Sequence, residues 1–186
     1  MNCLIQEVAL SLGKGHCAPR KPHIRALCAK GIAMLVIKQG IGEIKKGLEA
    51  WDWIDFSGME PLITSCFGDV FFESDDGIYF LDTLGGTLEN IASSKDELQE
   101  ILNTEDGQDH FLMAGLALAA QESGLNIGQG QCLDFKVSPV LSGTLTVENI
   151  EVMSFALSLD IAGQIMKQVK DLPRGTKIDK VTIDSE

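Results

Sequence analysis

The chain has 186 residues, 45% hydrophobic and 23% charged, which suits a globular domain and excludes wholesale disorder. Fifteen Lys and Arg against 27 Asp and Glu give a net charge of −12. An acidic chain repels phosphate backbones, so general nucleic-acid binding is excluded and basic surfaces or small molecules are the expected partners.

The charge is unevenly placed. Residues 1–38 carry +5 and the remaining residues −17. The segment Lys14-Gly-His-Cys-Ala-Pro-Arg-Lys-Pro-His23 has neither helical nor strand periodicity. Residues 1–40 therefore read as a basic, poorly ordered extension, with a transit peptide, an arm docking on the acidic body, or upstream sequence before a start at Met34 as the other readings. A zinc site built from Cys3, His16, Cys17, His23 and Cys28 lacks any C-x-x-C pair, the spacing by which one tight turn presents two ligands. Five scattered cysteines, an odd number, point to reduced thiols in a cytoplasm. No apolar run reaches 18 residues, and no basic region precedes Val8-Ala9-Leu10, so neither a membrane span nor a secretory signal is expected.

From Ile41 a single domain over residues 41–186 is expected. Ile41, Ile44, Leu48 and Trp51 make one apolar helical face, and Pro61 marks a break. Residues 67–91 read as a β-meander: Val70–Phe72, Ile78–Leu81 and Thr87–Ile91, with Asp75-Asp76-Gly77 as a tight turn. Ser94-Lys-Asp-Glu97 is a capping box for a helix to about Leu102. Gln108–Ser123 reads as one long Ala/Leu-rich helix, apolar nearly all round and closed by Gly124. Alternation predicts strands at Cys132–Val137, Thr144–Val147 and Val152–Leu159. Ile161, Ile165, Met166 and Val169 suit a helix, and Lys177–Ile183 a closing strand. Without βαβ alternation, the pattern predicts an α+β fold: a mainly antiparallel sheet packed against the long helix.

Chemistry is scarce in this pattern. His110 follows Asp106 by four residues, and a thiol site of Cys66 with His110 and Asp69 or Asp82 is conceivable, yet nothing in the sequence joins them. A buried inert thiol and an exposed helical histidine are the simpler reading. Gly40-Ile-Gly42 with Gly47 has the wrong spacing for a dinucleotide loop, and no Walker, H-E-x-x-H or G-x-S-x-G motif occurs. Asp69, Asp75, Asp76, Asp82, Glu105, Asp106, Asp109, Glu148 and Glu151 suit solvated turns and caps better than a metal site. No catalytic, cofactor or metal residue is assigned.

An ordered set of short motifs spans roughly residues 45–183. It comprises Trp51-Asp-Trp53, Cys66-Phe-Gly-Asp-Val-Phe-Phe72, Asp76-Gly-Ile-Tyr-Phe-Leu-Asp82 and Gly85–Glu89. It continues with Phe135-Lys-Val-Ser-Pro-Val-Leu141 through Gly143, Glu148-Asn-Ile150, Gly163-Gln-Ile165 and Asp171-Leu-Pro-Arg-Gly-Thr-Lys177. With these residues the body resembles the C-terminal domain of type VI secretion immunity proteins, the family named for the antidote to a bacterial DNase effector. One departure is Ser142, where that family has the first of two glycines. The family's usual upstream partner domain has no counterpart in residues 1–40. The resemblance implies a non-enzymatic immunity protein that binds and neutralises a cognate effector toxin, with no cofactor and no catalytic residues. An acidic binding face is the matching expectation from charge. Its candidate residues are Asp75 and Asp76 at the hairpin tip and Glu105, Asp106 and Asp109 further on. The alternative is a small-ligand or protein-binding scaffold module, which a concave apolar pocket beside the sheet favours. A homodimer is compatible with either reading, though no apolar stripe demands one.

Overall fold

The computed structural model describes residues 35–173, 175–178 and 180–184. The readings of residues 1–34, including the zinc set, lie outside the described residues. The architecture is α+β. Five antiparallel strands form a meander in sequential order: β1 (Val36–Ile37), β2 (Glu60–Ser65), β3 (Val70–Ser74), β4 (Gly77–Asp82) and β5 (Thr87–Ala92). A second, two-stranded ribbon pairs β6 (Gln131–Phe135) with β7 (Ile150–Ser154). The ribbon joins the sheet at a seam, where Leu133 N–H donates to the Cys66 carbonyl and Cys66 N–H to that of Leu35. Gln39 reinforces this junction by donating its amide to the Gln131 carbonyl at 2.9 Å.

The sheet is buried on both faces, and side-chain alternation sorts the core into two halves. Phe71, Ile78 and Phe80 face one side, where they meet Leu98, Leu102, Leu112, Ala114, Ala117 and Ala120. Those residues come from α2 (Lys95–Leu102), α3 (Glu105–Leu112) and α4 (Ala114–Glu122). Val70, Phe72 and Leu81 face the other side and meet Ile44, Trp51, Phe155, Leu159 and Met166. These belong to α1 (Ile41–Gly47), the 3-10 turn Leu48–Trp51 that extends it, and α5 (Phe155–Val169). The Trp51 indole N–H donates to the Leu159 carbonyl at 2.9 Å, and a Cβ on Gly163 would meet that indole at 2.7 Å. Close approach of α5 to Trp51 thus requires glycine at 163.

The three meander strands, the first helix and the capped helix form where the pattern predicts them. Ser94 Oγ accepts from Glu97 N–H, but the Glu97 carboxylate reaches one residue beyond the cap, to the N–H and hydroxyl of Ser93.

Several expectations are corrected. The long helix is two: Met113 turns left-handed (φ 47°), its N–H donating to the Gln108 carbonyl, and α4 restarts with Gly115 N–H on Asp109 Oδ1 at 3.1 Å. Pro61 lies inside β2 instead of ending structure, tolerated because the β2–β3 register shifts between Pro61 and Ile63. Only the first part of Val152–Leu159 is strand. Phe155 starts α5, whose Phe155, Leu159 and Met166 make a buried helical face. Thr144–Val147 is not strand; a 3-10 turn begins at Val147. The closing segment pairs with side chains of α5 instead of the sheet. Gln164 and Gln168, one turn apart, each exchange two hydrogen bonds with the backbone of Asp184 and Thr182. Leu35 is buried and β1 pairs with β2, so the folded body extends upstream of Ile41.

Candidate functional sites: an acidic face and an apolar cleft

The acidic face is assembled by the meander and the two helices that follow it. Asp75 and Asp76 form the two-residue loop between the paired Ser74 and Gly77. Asp76 is held in place by hydroxyl donors from Ser74 and from Tyr79 (2.8 Å), which lower its pKa below the usual carboxylate range. Next to this hairpin, Lys95 at the start of α2 pairs with Glu73 of β3 at 2.7 Å. Lys95 is the single Lys or Arg between Lys46 and Lys136. The N-terminus of α2 therefore lies beside the hairpin, and its eight residues, about 12 Å long, lead to α3. Asp96, Glu97 and Glu100 stand exposed along α2, linking the two patches expected from the sequence. Glu105 and Asp106 are exposed in the first turn of α3, behind the Thr104 cap.

All five expected residues are exposed; Asp76 also braces its own hairpin and Asp109 also caps α4. The α2 acids carry no separate signal in the sequence, where Asp96 and Glu97 fall within the capping box. Between α2 and α3 lies a shallow depression of about 520 Å³, with Ile101 and Phe111 in its floor and Glu97, Glu100, Asp106 and His110 around it. It joins an apolar surface to a negative rim, which suits a basic protein partner.

The imagined thiol site does not assemble. Cys66 is buried at the seam, its thiol pushed up to about 12 by desolvation and then by Asp69, so thiolate is scarce at neutral pH. His110 is exposed on α3, its ring edge-on to Phe111 at 4.6 Å. Both oxygens of buried Asp69 are occupied. Oδ1 accepts from the Thr83 N–H and hydroxyl, and Oδ2 from the Ser65 hydroxyl at 2.7 Å. Asp69 is thereby the tie between the β2–β3 and β4–β5 turns. Asp82 is a turn carboxylate, accepting from Leu84 and Gly85 N–H. Among the described residues no cluster of three His, Cys, Asp or Glu could hold a metal ion.

The second site is a cleft of about 290 Å³ between the β6–β7 ribbon, α5 and the β4–β5 turn. Its walls are mostly apolar, with Met153, Ile161, Ile165, Met166 and Leu84 prominent. Asp134 and Glu151 line it as well, and they are direct cross-strand partners in the ribbon. Burial raises the Asp134 pKa despite the nearby Ser158 hydroxyl and the Phe135 N–H, which favour the charged form; Glu151 adds to the rise. The cleft mouth includes the turn Ser138–Leu141, which ends at Ser142 in a left-handed conformation (φ 75°). The sequence signal for this site was the alternation of Cys132–Val137, which puts Asp134 on the same face as buried Cys132.

No protein-family model matches the chain, and no curated protein matches it. Among solved structures, the crystal structure of Atu4351 from Agrobacterium tumefaciens is similar over 66% of this chain, at 20% identity and a TM-score of 0.45. The match spans 62% of that protein's chain. Among the described residues no helix is long and apolar enough to cross a membrane.

Proposed function

We propose that this chain is a non-enzymatic immunity protein, which neutralises a cognate antibacterial toxin by covering a basic surface of it, such as the phosphate-binding face of a nuclease. The observation that carries this reading is the run of exposed carboxylates from Asp75 along α2 to Asp106. Its single interspersed lysine is already engaged by Glu73. Uncompensated charge of one sign accelerates capture of an oppositely charged partner and sets its orientation. The motif resemblance supports the same reading. The protein acts in the cytoplasm on this view, consistent with the free, buried thiols of Cys66 and Cys132.

The test is co-expression with the product of the adjacent open reading frame, followed by size-exclusion chromatography and a growth-rescue assay. A one-to-one complex is expected, losing affinity as salt rises, with rescue of growth. Reversing Asp75, Glu100 and Asp106 to lysine together should slow association at least tenfold. Unchanged affinity and rescue in that variant would sink the assignment.

The apolar cleft favours a second reading, a small-ligand binding module. Its volume sits at the lower end of the range for small-molecule sites, and its mostly apolar wall carries the opposed carboxylates of Asp134 and Glu151.

A further inference from the structure

We propose that the cleft between the β6–β7 ribbon and α5 binds an amphipathic organic amine, its ammonium group set between Asp134 and Glu151 and its hydrocarbon part against Met153, Ile161, Ile165 and Met166. The inference deepens the ligand-module reading and rests on it.

The register carries the argument. Asp134 and Glu151 are directly opposed in an antiparallel pair, so their side chains project from the same face of the ribbon. Like charges in that relation repel and weaken a sheet. Both residues line the cleft, and Asp134 is half-buried there under α5. Among the described residues neither carboxylate has a Lys or Arg within ion-pair distance. The cation that also lines the cleft, Lys136, turns its ammonium away to the Glu148 carbonyl at 2.7 Å. Among the described residues, two negative groups therefore stand together at an apolar site with no ion-paired cation.

A primary ammonium answers this geometry. It has three donors, matching one oxygen from each carboxylate and the Ser158 hydroxyl beside them. Most of the remaining wall is hydrocarbon and thioether, with Thr83, Lys136 and Ser138 as its other polar members. Methionines at 153 and 166 adapt to chains of different shape, so the site selects the head group more strictly than the tail. An alcohol of equal length would lose the charge-assisted bonds, and a carboxylic acid would meet repulsion.

The test uses the full chain with methyl-labelled methionine and three probes of equal length: n-octylamine, n-octanol and n-octanoate. Affinities are read by calorimetry and the site by methionine methyl shifts. Octylamine should shift the Met153 and Met166 methyls while leaving Met59 unmoved, and should bind at least tenfold more tightly than octanol, with octanoate not binding. The double variant Asp134→Asn, Glu151→Gln keeps the shape of both side chains and should lower octylamine affinity at least tenfold without changing that of octanol. Circular dichroism confirms its fold. Equal binding of octanol and octylamine at these methyls would overturn the amine assignment while leaving a ligand module standing. Octylamine that shifts other residues instead, as on the α2–α3 face, also overturns it. Absence of binding by all three probes would defeat the ligand-module reading itself.

Discussion

The two faces of the central sheet are built from different materials. On the α2–α4 side the interior is hydrocarbon: Phe71 and Phe80 lie 4.8 Å apart, Phe111 closes edge-on at 5.2 Å from Phe80, and leucines and alanines fill the remainder. The carboxylates of α2 and α3 are all outside. On the α1–α5 side polar groups come inside. The Trp51 indole bonds a helix carbonyl, Ser158 and Cys132 are buried, and Asp134 reaches into the cleft. The contrast separates two kinds of recognition. Under the two proposals, exposed carboxylates over a closed core would steer a macromolecule, while a carboxylate within an open core would select a small one.

Substitutions that remove interior groups test the difference most strongly. Trp51→Ala should cost about 4 kcal/mol, because it empties a large volume and removes the indole's bond to the Leu159 carbonyl. Leu98→Ala on the opposite face should cost about 3 kcal/mol, as a plain cavity. Urea melts compare the two, and a smaller loss at Trp51 would mean that the indole does not anchor α5. Asp69→Ala should cost about 3 kcal/mol by leaving the Thr83 N–H, Thr83 hydroxyl and Ser65 hydroxyl without their acceptor. Loss of less than about 1 kcal/mol would show that water replaces the carboxylate. At the cleft mouth, Ser142→Gly relieves a left-handed residue and should stabilise by about 1 kcal/mol, measured in the same melts.

Legibility in the sequence differed between the faces for a physical reason. The meander was readable because its strands are short, β-rich and punctuated by Asp-Gly and Gly-Gly turns. The α5 side was not. Phe155-Ala-Leu-Ser-Leu159 alternates like a strand and also spaces Phe155 and Leu159 like a helix, and packing on Trp51 decides for helix. The residue at the split, Met113, is neither glycine nor proline. It is held by the Asp109 cap, a contact between residues six apart that no helical pattern announces. Of the sites, the exposed acids were visible as composition. Asp134 facing Glu151 was not, because register between two strands fifteen residues apart is a tertiary fact.

Acids inside and outside also answer pH with opposite signs. Burial raises the pKa of Asp69 and Asp134, so the folded chain holds those protons more tightly than the unfolded one. Their contribution to stability is fully present below the ordinary Asp range and is lost as pH rises through the raised values. Hydrogen bonds from Ser74 and Ser93 lower Asp76 and Glu97, whose contribution is present at neutral pH and lost as pH falls. Asp134→Asn removes one interior acid and its cross-strand repulsion. It should gain about 0.5 kcal/mol at pH 7, a gain that fades as pH falls below the ordinary Asp range, where the group is protonated both folded and unfolded. An equal effect at neutral and at acid pH would contradict burial as the source of the shift.

The smallest effect on stability belongs to the face with the largest proposed effect on binding. Asp96 and Glu100 stand four residues apart on α2, a like-charge pair that weakens the helix slightly. Glu100→Lys converts it to an attractive pair in the favourable order, acid before base, and should raise stability by no more than about 0.5 kcal/mol. The same change places a cation in the middle of the acidic run, beside the depression floored by Ile101 and Phe111. Association with the proposed toxin partner, measured by stopped flow, should therefore slow while the melting temperature holds or rises. Faster or unchanged association would mean that the carboxylates of α2 serve solubility alone, leaving the interior carboxylate of the opposite face as the surviving recognition element.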